Sequence, residues 1–502
     1  MYSYDMLRKN NHTRNLVTSH GSDLPEGSLP PHDLRFKAII LAFVAVSVMI
    51  GLFFNRVVAG NLTMAIAIAS LLIVIFVGAD YRRGWTILFF VSTISAIKVN
   101  SGTVNIRPDQ LVFIWVLFVW LGSFALGKVR LHHTPLLIPV IGTLAVNLLF
   151  SYWYSPDKGF SYQSCVLLAI YLLMFILTVN ILGNDVRLLK STPIMLVVIG
   201  VFQAMYGLIA VALNNAGIDI KGVTITTTGV GIAASGGFEE ANVLAAFLSI
   251  VALILLAHVS LKSEWQRRGP YVYVGLALVL MALLLTYTRA AWIGFVLGSL
   301  CLLVLFRPSR NIINLRSLAL LIGLVVVFVV VGVPLGNYIS ATTGGEQGGL
   351  TERISNLTNF AEGSGQGRAE IEALAISRWE ENPLLGRGTF SMPRTELTRI
   401  AQGGWLYSSI VQSLHDTGLL GTIFLVWIYI GGVIIGIKGY LKSSTRFWKA
   451  TMAGVTLGWG ALAIASQASS SAWLAFSWIY LGLLVSWSEN IELLESGDYE
   501  SL

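Results

Sequence analysis

Residues 271–306 read YVYVGLALVLMALLLTYTRAAWIGFVLGSLCLLVLF, two apolar runs interrupted once at Thr286-Tyr287-Thr288-Arg289. Runs of roughly 17 to 25 residues like these, each able to cross a hydrocarbon core of about 30 Å as a helix, recur from Ala38 to Trp487 with short polar breaks. The 502 residues are 55% hydrophobic and 12% charged, with a mean hydropathy of +0.73. No water-soluble core of this size requires such a composition, so the membrane is the solvent. The pattern predicts an all-α polytopic membrane protein with about 14 transmembrane helices, at 38–54, 57–79, 85–99, 110–127, 135–152, 163–182, 191–213, 239–260, 271–287, 290–306, 317–335, 411–437, 450–467 and 471–488.

Charge fixes the expected orientation. With both termini in the cytoplasm, 21 of the 33 lysines and arginines fall inside and 12 outside, in line with the positive-inside rule. The formal charge of +7 is scattered through loops rather than gathered into a patch, so it reads as topology and not as a nucleic-acid surface. Cys165 and Cys301 sit inside apolar spans and carry no redox or zinc signal. The expected organisation is a mobile cytoplasmic tail at 1–37, helices 1–11 over 38–335, a large extracytoplasmic loop at 336–410, helices 12–14 over 411–488, and a cytoplasmic tail at 489–502. Within the large loop an amphipathic helix is predicted from Arg368 to Glu381, with Ile371, Leu374, Ala375 and Trp379 on one face and Arg368 four residues before Glu372.

Arg289 is the most informative outer charge. An arginine so near hydrocarbon pairs, snorkels to headgroups or faces water, and its planar fork suits a phosphate bidentately. The large loop adds Arg353, Arg368, Arg378, Arg387, Arg394 and Arg399 with no lysine, but also eight glutamates, so many of these charges are expected to form solvated ion pairs and only one or two of the arginines to touch ligand. Gly229-Val230-Gly231-Ile232-Ala233-Ala234 superficially matches a dinucleotide fingerprint; lacking a βαβ context, it reads as a flexible glycine-rich connector. No aspartate pair with metal-ligand spacing and no phosphate loop with its lysine is present, so neither metal nor nucleotide cofactor is expected.

Four segments resemble the superfamily of O-antigen ligases and Wzy-type polysaccharide polymerases, and a fifth follows them. Ile106-Arg107-Pro108-Asp109-Gln110-Leu111 is similar to the family's short outside loop before an apolar helix, and Gly237-Phe238 with Asn242 to its Phe and Asn pattern. Thr286 to Trp292 is similar to Thr-x-Ser-Arg-x-x-Trp, with Thr288 for serine. Gly367-Arg368, Trp379 and Asn382-Pro383-Leu384-Leu385-Gly386-Arg387-Gly388-Thr389-Phe390 resemble the large-loop signature, and Asp416-Thr417-Gly418-Leu419-Leu420-Gly421 the acidic-x-Gly-x-x-Gly element after it. The resemblance implies a GT-C-like, metal-independent glycosyltransferase of the bacterial inner membrane. Its donor would be a polyprenyl-diphosphate-linked oligosaccharide and its acceptor a glycan or lipid, with membrane lipid around it and the active site facing outside. Arg289, Arg368, Arg107, Asn242 and Arg387 are then the expected substrate-binding residues.

One departure stands out. Where the family has a histidine, this chain has Tyr407, and His415 lies about 12 Å further along a helix and about 80° around it. The catalytic base is therefore left among His415, Tyr407 and Glu239, with Glu240 beside the last. A polymerase is favoured over a ligase. The rivals are a transporter of lipid-linked glycan or small anion, against which the scarcity of intramembrane acids counts, and a non-catalytic subunit of a polysaccharide assembly complex.

Overall fold

Helix α1 (Tyr81–Val91) starts at Asp80, whose carboxylate accepts from the Arg82 amide at 3.0 Å, and stops where Ser92 and Thr93 turn their hydroxyls onto the carbonyls of Phe89 and Phe90, both at 2.7 Å. The span expected at 85–99 is thus an 11-residue helix. Its Ser/Thr end bonds its own backbone, and the chain turns into a hairpin, β1 (Val99–Ser101) with β2 (Val104–Ile106). The computed structural model describes residues 80–96, 99–101, 104–156, 158–218, 220–226, 231–267, 270–305, 333–342, 364–392, 406–469 and 474–496, with 323 and 351. All belong to one compact unit, Ala69–Leu502. The tail at 1–37, the spans at 38–54 and 57–79, most of that at 317–335, Arg353, Arg394 and Arg399 lie outside the described residues.

The rest is largely helical: α2 (Pro108–Ala125), α3 (Leu137–Tyr154), α4 (Lys158–Gly183), α5 (Val186–Asn215), α6 (Ala241–Ser260), the short α7 (Glu264–Arg267), α8 (Tyr271–Leu285), α9 (Arg289–Leu305), α10 (Val333–Thr342), α11 (Ser364–Glu380), α12 (Ser409–Lys442), α13 (Arg446–Ala465), α14 (Ala475–Glu489) and α15 (Ile491–Ser496). Among the described residues six helices, α2 to α6 and α12, are long and apolar enough to cross a membrane, and α8 and α9 are shorter apolar helices.

One element here differs from expectation. Residues 231–234 form β4 (Gly231–Ala234), antiparallel to β3 (Val223–Thr226), because the β-branched run Val223-Thr224-Ile225-Thr226 supplies a partner strand. Ala233 and Ala234 are buried in it, so this stretch is structured backbone rather than a loose connector; being an antiparallel hairpin, it has no βαβ geometry either. Beyond α14, the short α15 buries Ile491 and Leu494.

Small residues set the packing around α13. Gly454 and Gly458, one turn apart, let it approach the backbone of α6 at Leu253, Ile254 and Ile250, while Gly294 of α9 meets Ala461. On the other side Gly432 and Gly436 of α12 receive Trp459 and Thr456. Helix α12, 34 residues long, is broken at Gly418, where φ is 63° and ψ is −161°.

Candidate active site

The break in α12 organises the site. A helix interrupted at Gly418 leaves amides and carbonyls without their usual partners, and inside an apolar bundle each must find another. The large-loop segment 382–392 supplies them. The amides of Leu419 and Leu420 donate to the carbonyls of Pro383 and Leu384 at 2.9 and 3.4 Å, and the carbonyls of His415 and Asp416 accept from the amides of Arg387 and Gly388, both at 2.8 Å. Such backbone-to-backbone docking needs glycine. A Cβ on Gly386, where φ is 67°, would stand 2.5 Å from the Thr417 nitrogen, and one on Gly418 would collide with Leu384. Trp379 and Asn382 fold the same loop on itself, donating to the carbonyls of Pro383 and Gly386 at 2.9 Å each.

Thr389 anchors the loop to the bundle. Fully buried, its hydroxyl donates to Asn147 Oδ1 at 2.7 Å and accepts from Ser151 Oγ at 3.0 Å; its amide donates to Ser151 Oγ at 3.1 Å and its carbonyl accepts from Ser161 at 2.7 Å. These partners come from α3 and α4, so three distant stretches of chain close on one residue. The polar pair Asn147 and Ser151, one turn apart inside an apolar span, is the sequence signal that would have found it.

His415 and Asp416 lie in α12 just before the break, each about 2% exposed or less. The imidazole Nδ1 is 2.8 Å from Asp416 Oδ1. The other carboxylate oxygen accepts from Gln412 Nε2 at 2.6 Å and from the Phe390 amide at 2.9 Å. Asp416, Gln412, Ser413, Thr417, Asn147 and Thr143 also line a cavity of about 40 Å³ between α3, α4, α12 and α14, together with Leu168, Leu425 and Trp478. His258, by contrast, is structural: both ring nitrogens are engaged, by Ser263 and Thr451, and its ring stacks on Trp265 with centroids 4.1 Å apart.

The other expected residues fall into separate groups. Tyr407 precedes α12 by two residues and packs against Ile371 and Ala375 of α11, together with Met392 and Leu406. The expected apolar face of α11 therefore turns onto protein. Glu372 accepts from the Ser408 amide at 3.1 Å. Arg368 stands in the second turn of α11, its side chain outside the described residues. Arg387 is ion-paired with Glu381, which also holds Arg378 at 2.9 Å. At the mouth of α6, Asn242 Oδ1 accepts from Thr288 Oγ1 at 3.0 Å, which ties that helix to the turn preceding Arg289, half-buried at the start of α9. Glu239 nearby is exposed, with its amide on Ser95 Oγ at 3.2 Å. Arg107 is buried, donates to the Tyr171 hydroxyl and has its guanidinium carbon 5.7 Å from that ring's centroid.

With this geometry in place, residues 274–426 match the family model described as O-Antigen ligase. This segment is similar to that family. It runs from α8 through the large loop to the first turns after the α12 break, and so contains Arg289, Arg368, Arg387, Tyr407, His415 and Asp416. No curated protein matches the chain. Together with the apolar helices, the O-antigen ligase family points to a membrane enzyme that processes glycans.

Proposed function

We propose that this O-antigen ligase-like protein transfers an oligosaccharide from a polyprenyl-diphosphate carrier to a glycan or lipid-linked acceptor at the outer face of the bacterial plasma membrane. It does so as a polysaccharide polymerase rather than a ligase, without metal or nucleotide. The observation that carries the reading is the broken α12: within the family-matched segment, a helix interrupted inside the bundle holds a buried imidazole–carboxylate pair whose carboxylate lines a small cavity. Irregular backbone inside a membrane bundle is tolerated where protein or a cavity satisfies it, and such places are where substrates bind.

The chemistry needs two things. A diphosphate leaving group needs cations, for which Arg289, Arg368 and Arg107 are the candidates, with Asn242 fixing the turn before Arg289 through Thr288. Arg387, paired with Glu381, steadies the loop. An acceptor hydroxyl needs a base, assigned to His415, with Tyr407 and Glu239 as alternatives. The test is turnover by purified protein in liposomes given polyprenyl-diphosphate oligosaccharide, with products read by mass spectrometry. His415→Ala should abolish transfer and keep donor binding, Tyr407→Phe should matter less, and Arg289→Lys and Arg368→Lys should both be impaired because a point charge loses the bidentate geometry. Folded His415→Ala protein with full activity would move the base to Tyr407 or Glu239; no product from folded wild-type protein would remove the transferase reading.

A further inference from the structure

We infer that Asp416 is a positioning residue that holds His415 in the tautomer able to act as a base, with its second oxygen held by donors that both ends of the large loop supply or orient. The inference rests on the assignment of His415 above.

The Gln412 amide is oriented by the backbone: its Oε1 accepts from the Leu406 amide at 2.9 Å, so the group facing Asp416 is the NH₂. That NH₂ and the Phe390 amide, both obligate donors, converge on Asp416 Oδ2 at 2.6 and 2.9 Å. Two N–H donors on Oδ2 stabilise the ionised carboxylate, and an ionised carboxylate meets His415 with Oδ1 as an acceptor. His415 Nδ1 must then carry the hydrogen in the 2.8 Å contact, which leaves the lone pair on Nε2. When Nε2 takes a proton from the acceptor hydroxyl, the charge on the resulting imidazolium is balanced by the carboxylate, which itself stays ionised.

One donor on Oδ2, the Phe390 amide, comes from the loop, and the other, Gln412 of α12, is oriented by it. Phe390 closes the signature segment; Leu406, acting through Gln412, closes the loop's far end just before α12. Residues 393–405 lie between them. Both ends of the loop therefore report to a single carboxylate, and that carboxylate sets the proton on His415.

Asparagine at 416 separates positioning from mere structure. Its single oxygen would take the place facing Phe390 and Gln412, its NH₂ would face Nδ1, and His415 would be driven to the Nε2–H form, which has no base where the reading requires one. The test is ¹⁵N NMR of histidine-labelled full-length protein in nanodiscs, with the His415 signal assigned by its loss in His415→Gln. Wild-type protein should show Nδ1–H, and Asp416→Asn should show Nε2–H with an unchanged melting temperature. Transfer should fall by roughly 10²–10⁴-fold, with binding of polyprenyl diphosphate retained. Asp416→Glu should recover part of the Nδ1–H signal. An Nε2–H form in the wild type overturns the inference without any variant having to fold, as does Asp416→Asn protein with the Nδ1–H form or with full activity. Full activity of His415→Ala would instead overturn the assignment on which the inference rests, so the two failures are distinguishable.

Discussion

Gly418 holds a φ and ψ of 63° and −161°, a region that residues with a side chain hardly populate. Gly418→Ala should cost on the order of 1–3 kcal/mol from backbone strain alone, and the added methyl would strike Leu384 besides. A lowered melting temperature in detergent, with Gly122→Ala unaffected because nothing lies within 4 Å of that position, would confirm it. Thr389→Val acts by another route: it keeps the shape and removes the hydroxyl that satisfies Asn147 and Ser151, a loss worth about 1–3 kcal/mol for buried polar groups. A Thr389→Val protein as stable as wild type would show that the loop is anchored elsewhere. At this scale the sequence was informative about residue types and silent about partners. The resemblance marked Trp379, Asn382, Gly386 and Gly388, yet their work is to fold a loop onto a broken helix, and that follows from contacts between chain segments, which spacing does not encode.

Helix contacts explain which parts of the pattern could be read. Spans such as 239–260 and 290–306 were legible because apolar length alone decides them, and α6 and α9 fall within a few residues of those bounds. The span at 85–99 was misjudged because apolar composition continues past Val91 while Ser92 and Thr93 end the helix by bonding their own turn. The hairpin at 223–234 was missed because a glycine-rich stretch hides a strand whose partner is only four residues away. Close packing is testable at this scale. Gly454→Ala would place a Cβ 2.5 Å from Ile254 Cα and force α13 off α6, an overpacking cost of about 1–3 kcal/mol. Gly460→Ala on the same helix, with open space around it, should be neutral. At the other end of α13, Glu495 of α15 accepts from the amides and hydroxyls of Ser444 and Thr445. Partial burial pushes its pKa up, but these hydrogen bonds outweigh that and hold it below the usual carboxylate range. A carboxylate depressed in the folded state contributes stability above its unfolded pKa and loses it as pH falls through the lower folded value. Glu495→Gln should thus be less stable than wild type at neutral pH, and the gap should close in acid; an equal gap at all pH values would assign Glu495 a packing role instead.

Across the whole molecule, function depends on which side of the membrane the large loop faces. The loop's signature segment is bonded to α12 at the break, and α11 packs against the same end of that helix, so loop and candidate base share one side whatever the orientation. Only charge asymmetry selects that side: 21 of the 33 basic residues fall inside when both termini are cytoplasmic. A donor lipid that presents its oligosaccharide outside the cell could not meet a loop facing the cytoplasm, so topology and function stand or fall together. Cysteine placed at Gln347, within the loop and outside the described residues, is a suitable reporter. The two native thiols are poor competitors, since Cys165 is buried and Cys301 is within α9, and Cys301→Ser removes the more accessible of them. Gln347→Cys should react with a membrane-impermeant maleimide on intact cells with the outer membrane permeabilised. Labelling that appears only after the inner membrane is opened would place the loop in the cytoplasm, reverse the orientation of every helix, and take the His415–Asp416 pair away from any externally presented donor.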